Sequence, residues 1–86
     1  MDQLKLFGRR VWAIRKAGKI MQEEAAEKAH LNPKYLGEIE RGEKRPSFEA
    51  ILALAKALNT PPATFFQFDR EENNEKVLRR KIEAVN

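Results

Sequence analysis

Apolar residues along this chain recur every three or four positions and never settle into sustained alternation, a spacing that suits helices rather than half-buried strands. In DQLKLFGRRVWAIRKAG, Leu4, Phe7, Val11 and Ile14 form one stripe, while Lys5, Arg9, Arg10 and Lys16 lie off it. That pattern predicts an amphipathic first helix closing near Gly18. Residues 22–29, QEEAAEKA, predict a shorter second helix whose Glu23 and Glu24 suit the positive end of the helix dipole, although Met21 stands where a capping Ser or Thr would serve better. The stretch HLNPKYLGEIERGEKRP encodes a third helix over about 33–41, with Asn32 as N-cap, Pro33 at the first helical position and Gly42 just past the end. A fourth helix starts at Ser47 and places Phe48, Ile51, Leu52, Ala55 and Leu58 on one face, and a fifth, short one after Thr60-Pro61 returns Phe65 and Phe66 towards the core. REENNEKVLRRKIEAVN predicts a sixth segment with Leu78, Ile82 and Val85 in a stripe.

The fold class is therefore all-α, with a domain over residues 1–68 and a helical tail over 69–86. At 86 residues and 42% hydrophobic, the chain supports one modest core, since a domain this small buries only about 60% of its unfolded surface. The absence of cysteine leaves neither a disulfide frame nor a thiolate metal site and fits a reducing, cytoplasmic setting. The opening MDQLKLFGRRVW mixes charge into its apolar residues and does not read as a signal peptide, and no apolar run approaches the roughly 20 residues of a membrane span. Formal charge is +4, and the excess lies wholly in residues 1–45, which hold 11 Lys or Arg against 7 Asp or Glu. Such a balance points to a polyanion partner or merely to a solvated basic surface.

On the third helix Leu36 and Ile39 define an inner face with Tyr35 beside them, which turns Lys34, Gly37, Glu38 and Arg41 outward. Two helices joined by the short turn AHLN match the helix-turn-helix plan, where the first helix crosses a nucleic-acid backbone and the second enters the major groove. The methyl side chain of Ala26 allows the close approach this needs. An ordinary helical hairpin in a small bundle would share the same outline.

From about Phe7 to Phe66 the sequence resembles the phage-repressor and Cro-type helix-turn-helix family, also called the xenobiotic-response-element class. The resemblance rests on FGRRVWAIRKAGKIMQEEAAEKA, LNPKYLGEIERGEKRPSFEAILALAKAL and TPPATFF, with YLGxIERG, a basic pair and RPS as its most specific part. It implies a compact four- to five-helix repressor-like domain that binds double-stranded operator DNA as a homodimer without a cofactor. Position by position, it makes Gln22 and the amides at the start of the second helix a phosphate site. Asn32, Pro33, Lys34, Tyr35, Gly37 and Glu38 fall on groove-facing positions, where Lys34 would donate to guanine O6 or N7 and Glu38 would accept from cytosine N4. Arg41, Lys44 and Arg45 fall on backbone-contacting positions. Arg15 and Glu40 correspond to a structural ion pair between the first and third helices.

The sequence also departs from the family pattern. His30 replaces a usual glycine in a turn that often demands positive φ, so a strained turn is expected. Ala25 replaces a larger aliphatic, and Trp12 replaces a position that is often charged, which predicts packing of its ring against the C-terminal segment. Gly37 and Pro33 bring no hydrogen-bonding side chain to the groove, so DNA shape would share in recognition.

Enzyme chemistry finds little support. Ser47 is the only serine and His30 the only histidine, and no Gly-rich phosphate loop is present. Glu23 and Glu24 point about 100° apart on their helix and suit solvent and dipole rather than an acid and base pair. His30 has no companions to complete a metal site. The tail residues Leu78, Ile82 and Val85 are candidates for a homodimer contact or for gripping a different protein. The expected function is a sequence-specific DNA-binding regulator, nucleoid-associated when bound, on an inverted repeat. The alternative is an antitoxin-like or adaptor module whose tail binds a protein partner, kept open by Glu38 and Glu43 near the presumed DNA face.

Overall fold

The computed structural model describes residues 2–67, which form α1 (Gln3–Ala17), α2 (Gln22–Lys28), α3 (Pro33–Glu40), α4 (Phe48–Ala57) and a 3-10 helix at Pro62–Phe66. The predicted sixth segment, with Leu78, Ile82 and Val85, lies outside the described residues, as does the C-terminal packing partner expected for Trp12. Side-chain oxygens cap three of the four α-helix starts. Asp2 accepts from the Lys5 amide at 2.9 Å, Asn32 from the Lys34 amide at 2.8 Å and Ser47 from the Ala50 amide at 3.1 Å. Met21 makes no such bond, and α2 opens instead with Glu23 and Glu24 against its positive end.

All four α-helices close in the same way. The residue after each C-cap turns left-handed: Lys19 (φ 57°), His30 (φ 57°), Gly42 (φ 73°) and Asn59 (φ 53°). Each is followed by a residue whose amide reaches back to a carbonyl near the helix end: Ile20 to Arg15 at 3.2 Å, Leu31 to Ala26 at 2.8 Å, Glu43 to Glu38 at 2.8 Å and Thr60 to Ala55 at 2.9 Å. This is the Schellman closure, which satisfies orphan carbonyls and turns the chain sharply. The positive φ expected at His30 is present. Only the third closure uses glycine, and there sterics as well as φ require it, because a Cβ at position 42 would come within 2.8 Å of the Lys5 Cα.

The core draws on every element. Phe7 and Val11 of α1, Ala25 and Ala26 of α2, Leu36 and Ile39 of α3, Leu54, Ala55 and Leu58 of α4 and its cap, and Phe65 are all buried. Phe65 meets Phe7 edge-on at 5.7 Å between ring centroids, and Arg10 Nε donates to the Thr64 carbonyl at 3.1 Å, so α1 and the 3-10 turn are joined by both apolar and polar contacts. Alanines at 25, 26 and 29 keep α2 close to α3 and α4, consistent with a thin core there.

Two expectations about the apolar faces need correction. On α4 the inner face is Ala50, Leu54, Ala55 and Leu58 with Ile51 at its margin, whereas Phe48 is 69% and Leu52 42% exposed. Helix geometry places Leu52 about 160° around the axis from Leu54, so the two cannot share one face. The run FEAILALA is apolar nearly all round, and its largest side chains are not its innermost ones. Likewise Phe66 lies 53% exposed, covering Phe7 from outside at 5.1 Å rather than entering the core.

A contact absent from the apolar pattern fixes the spacing of α1 and α3. A Cβ on Gly8 would collide with the Ile39 carbonyl oxygen and lie 2.6 Å from that of Glu40. The backbones touch with no side chain between them. Gly8→Ala must therefore separate α1 from α3, and we expect a loss of roughly 3 kcal/mol, the upper part of the usual overpacking range. Urea denaturation measures this directly; a midpoint equal to wild type would show that the two helices part at no cost.

Candidate nucleic-acid interface

With only eight residues, α3 needs outside support to hold a fixed attitude. Leu36 and Ile39 anchor its inner side, and Glu40 secures its end. The Glu40 carboxylate is buried against Arg15, with Nε to Oε2 at 2.7 Å and Nη2 to Oε1 at 3.0 Å. Arg15 Nη1 donates further to the Ile20 carbonyl at 2.9 Å, and Gln22 Nε2 donates to Glu40 Oε1 at 3.0 Å. Helices α1, α2 and α3 thus meet at one carboxylate, and among the described residues no buried side-chain polar atom lacks a partner. A charge-assisted fork of this kind has strict geometry, so it fixes both the height and the rotation of α3.

The outward side of α3 begins with Asn32, Pro33 and Lys34, all exposed. The Asn32 carboxamide oxygen is occupied by capping, which leaves Lys34 as the cation at the leading end of the helix. Tyr35 is half-buried, and its hydroxyl accepts from the Ser47 amide at 3.1 Å and donates to the Arg45 carbonyl at 3.4 Å. The phenol therefore pins the connection between α3 and α4. Gly37 brings no side chain of its own to this side of the helix. It is buried, and a Cβ there would lie 3.0 Å from Arg41 Nη1 and 3.3 Å from Gln22 Nε2, so both side chains fold across it. Gly37 thereby leaves room for the side chains of Arg41 and Gln22 on this side of α3.

Gln22, at the start of α2, thus lies beside the α3 surface with its amide nitrogen held by Glu40. Arg41, Lys44 and Arg45 follow the helix end and are exposed. Arg41 forks onto Glu43, Nε to Oε2 at 3.0 Å and Nη2 to Oε1 at 3.1 Å. These bonds raise the Arg41 pKa, and the same hydrogen bonds from Arg41 hold the Glu43 carboxyl below the ordinary carboxylate range. Lys44 Nζ approaches Glu38 Oε1 at 3.8 Å, with Glu38 mostly covered. The face is therefore cationic, with two acidic residues set into it. Gln22, Lys34, Glu38, Arg41 and Lys44 are gathered on and around one short helix. Sequence reading names Glu43 only as an acid near this face; its fork with Arg41 depends on the turn at Gly42, which folds position 43 back beside position 41.

Among the described residues no cluster of three His, Cys, Asp or Glu could hold a metal ion, and no helix is long and apolar enough to cross a membrane.

Comparison with known proteins agrees with this architecture. A family model described as helix-turn-helix matches residues 13–65. The chain is similar to the immunity repressor protein of Bacillus phage phi105, 47% identical over 51 residues that make up 59% of this chain and 35% of the repressor. It is also similar to the control protein C.SmaI of Serratia marcescens, 35% identical over 60 residues, or 70% of this chain and 71% of that protein. The chain thus spans about a third of the phage repressor's length and most of the control protein's. Among solved structures, the restriction-modification controller protein C.AhdI of Aeromonas hydrophila superposes with a TM-score of 0.72 at 38% identity, covering 73% of this chain and 96% of that one.

The ion pair under α3 has a measurable signature. Arg15→Ala leaves the Glu40 carboxylate buried with only Gln22 as a side-chain donor, and should destabilise the domain by about 3–5 kcal/mol. Because a domain of this size shifts by about 4–8 °C per kcal/mol, thermal melting should fall by well over 10 °C. An apolar double replacement, Arg15→Met with Glu40→Leu, should recover most of that loss. A melting curve for Arg15→Ala that overlays wild type would remove the assignment.

Proposed function

The chain belongs to the helix-turn-helix family of phage-repressor and Cro type, and from that premise we propose how this particular surface acts. It is a DNA-binding transcriptional regulator, a class of protein that is not enzymatic. The observation that carries the finer reading is the junction at Glu40, which holds a firmly capped α3 with its cationic side turned outward. A rod with one locked face and one exposed face can enter a groove without rearranging first, so little conformational freedom is lost on binding.

In this reading α3 lies in the major groove. Lys34, at its leading end, reads guanine O6 or N7, and Glu38 reads cytosine N4 where Lys44 releases it. Asn32, Pro33 and the ring edge of Tyr35 supply van der Waals contact. Gln22 and the start of α2 meet one phosphate, while Lys44, Arg45 and Arg41 meet others beyond the helix end. With few side chains reading bases directly, the deformability of the DNA contributes part of the specificity.

We further infer a homodimer on an inverted repeat, with recognition helices about 34 Å apart, one turn of B-DNA. The relatives include proteins named as a repressor and as restriction-modification controllers, and regulation of transcription in the cytoplasm, on the nucleoid, is the matching role here. A protein partner for the tail, through Leu78, Ile82 and Val85, belongs to the same proposal as a second contact.

Selection of bound duplexes from a random pool tests the groove assignment. Lys34→Ala should change the selected motif at one position in each half-site, by about 1–3 kcal/mol of discrimination. Gln22→Ala should weaken all sequences alike and leave the salt slope nearly unchanged, because a neutral carboxamide releases no counterion. If the Lys34 variant selects an unchanged motif, α3 does not read the groove as described; if wild type binds no duplex at low salt, the DNA reading itself fails.

A further inference from the structure

The fork between Arg41 and Glu43 is a poor stabiliser. Both side chains are more than half exposed, at 57% and 55%, and ion pairs of that kind contribute little. Its geometry nevertheless points to a second use. Arg41 Nε and Nη2 both donate to Glu43, and a paired nitrogen edge of this kind is what a guanidinium offers bidentately to a phosphate or to guanine O6 and N7. Nη1 lies over Gly37. Arg41 cannot give DNA that edge while Glu43 holds it.

The turn makes the hold a built one. Gly42 takes the left-handed conformation and the Glu43 amide bonds the Glu38 carbonyl at 2.8 Å, so the backbone of the acid is fixed beside the arginine. Missing bulk at Gly37 leaves room for Arg41 Nη1, which would lie 3.0 Å from a Cβ there. Beside the fork a looser pair forms, Lys44 Nζ approaching Glu38 Oε1 at 3.8 Å.

We propose that Glu43 is a specificity-determining residue: it latches Arg41 away from DNA until α3 is seated and a phosphate or guanine edge displaces the carboxylate. The proposal rests on the DNA-binding reading above. In loose, sequence-independent encounters no acceptor is held against the fork, so Arg41 stays latched and one counterion fewer is released. In the seated complex a DNA acceptor takes over both hydrogen bonds one for one. Glu43 thereby lowers affinity for random DNA more than affinity for the operator, which widens the ratio between them.

The test is a double-mutant cycle on binding, using a random-sequence duplex and the selected operator across about 50–200 mM salt. Glu43→Gln should tighten random-duplex binding by about 3–10-fold at about 100 mM salt, steepen the log–log salt slope by about 0.9, and change operator affinity less than about 3-fold. In an Arg41→Gln background the same change should alter random-duplex affinity by less than about 2-fold, since there is no longer an arginine to release. An equal gain in both backgrounds would mean that Glu43 acts only through its charge, and the latch would be overturned. So would an unchanged slope in a Glu43→Gln protein whose parent binds DNA. Failure of the parent to bind any duplex would instead overturn the DNA reading, and the latch with it.

Discussion

The carboxylate of Glu40 is the point on which the arrangement depends. An eight-residue helix held by Leu36 and Ile39 alone could rock or slide on an apolar surface, because hydrophobic contact has little direction. Directional bonds from Arg15 on α1 and Gln22 on α2 remove that freedom. Burying both charges is expensive, and the pair is tolerated because its geometry is good and the remaining donor of Arg15 finds the Ile20 carbonyl. What is gained is orientation rather than net stability. The Gly8 contact completes the constraint by fixing how far α3 stands from α1.

Much of this was legible in the residues themselves, for identifiable reasons. Asn32, Pro33 and Gly42 punctuate α3 so firmly that its limits follow from capping chemistry, and Ser47 does the same for the start of α4. The α1 stripe was also clear, because Leu4, Phe7, Val11 and Ile14 recur at helical spacing with Lys5, Arg9, Arg10 and Lys16 off it. On α4 the rule failed where nearly every position is apolar: size was a poor guide, and small Ala50 lies inside while Phe48 lies outside. Gly8 gave no signal, since a glycine in mid-helix looks like a weak helix former unless the facing backbone is known. The outer face was half readable. Its cations could be placed by resemblance, but the folding of Arg41 and Gln22 across Gly37, and the fork to Glu43, depend on three-dimensional turns that spacing does not encode.

The interface therefore combines two kinds of ion pair with opposite characters. Arg15 and Glu40 are sealed, satisfied and hard to exchange, which suits a frame. Arg41 and Glu43 are wet and easily exchanged, which suits a surface that must trade one acceptor for another. The contrast comes from burial alone, since both are arginine–glutamate forks with similar distances.

The repeated helix endings carry a last consequence. Three of the four place a residue with a side chain in left-handed backbone, a conformation with an intrinsic steric penalty of roughly 1 kcal/mol or more. The scaffold thus retains unused headroom: relief at Lys19 or Asn59 lies at corners outside α3, whereas His30 sits two residues before its N-cap Asn32. A sturdier version of the same molecule is within reach of changes that leave its chemistry alone, and a lineage under heat or crowding stress would have somewhere to go.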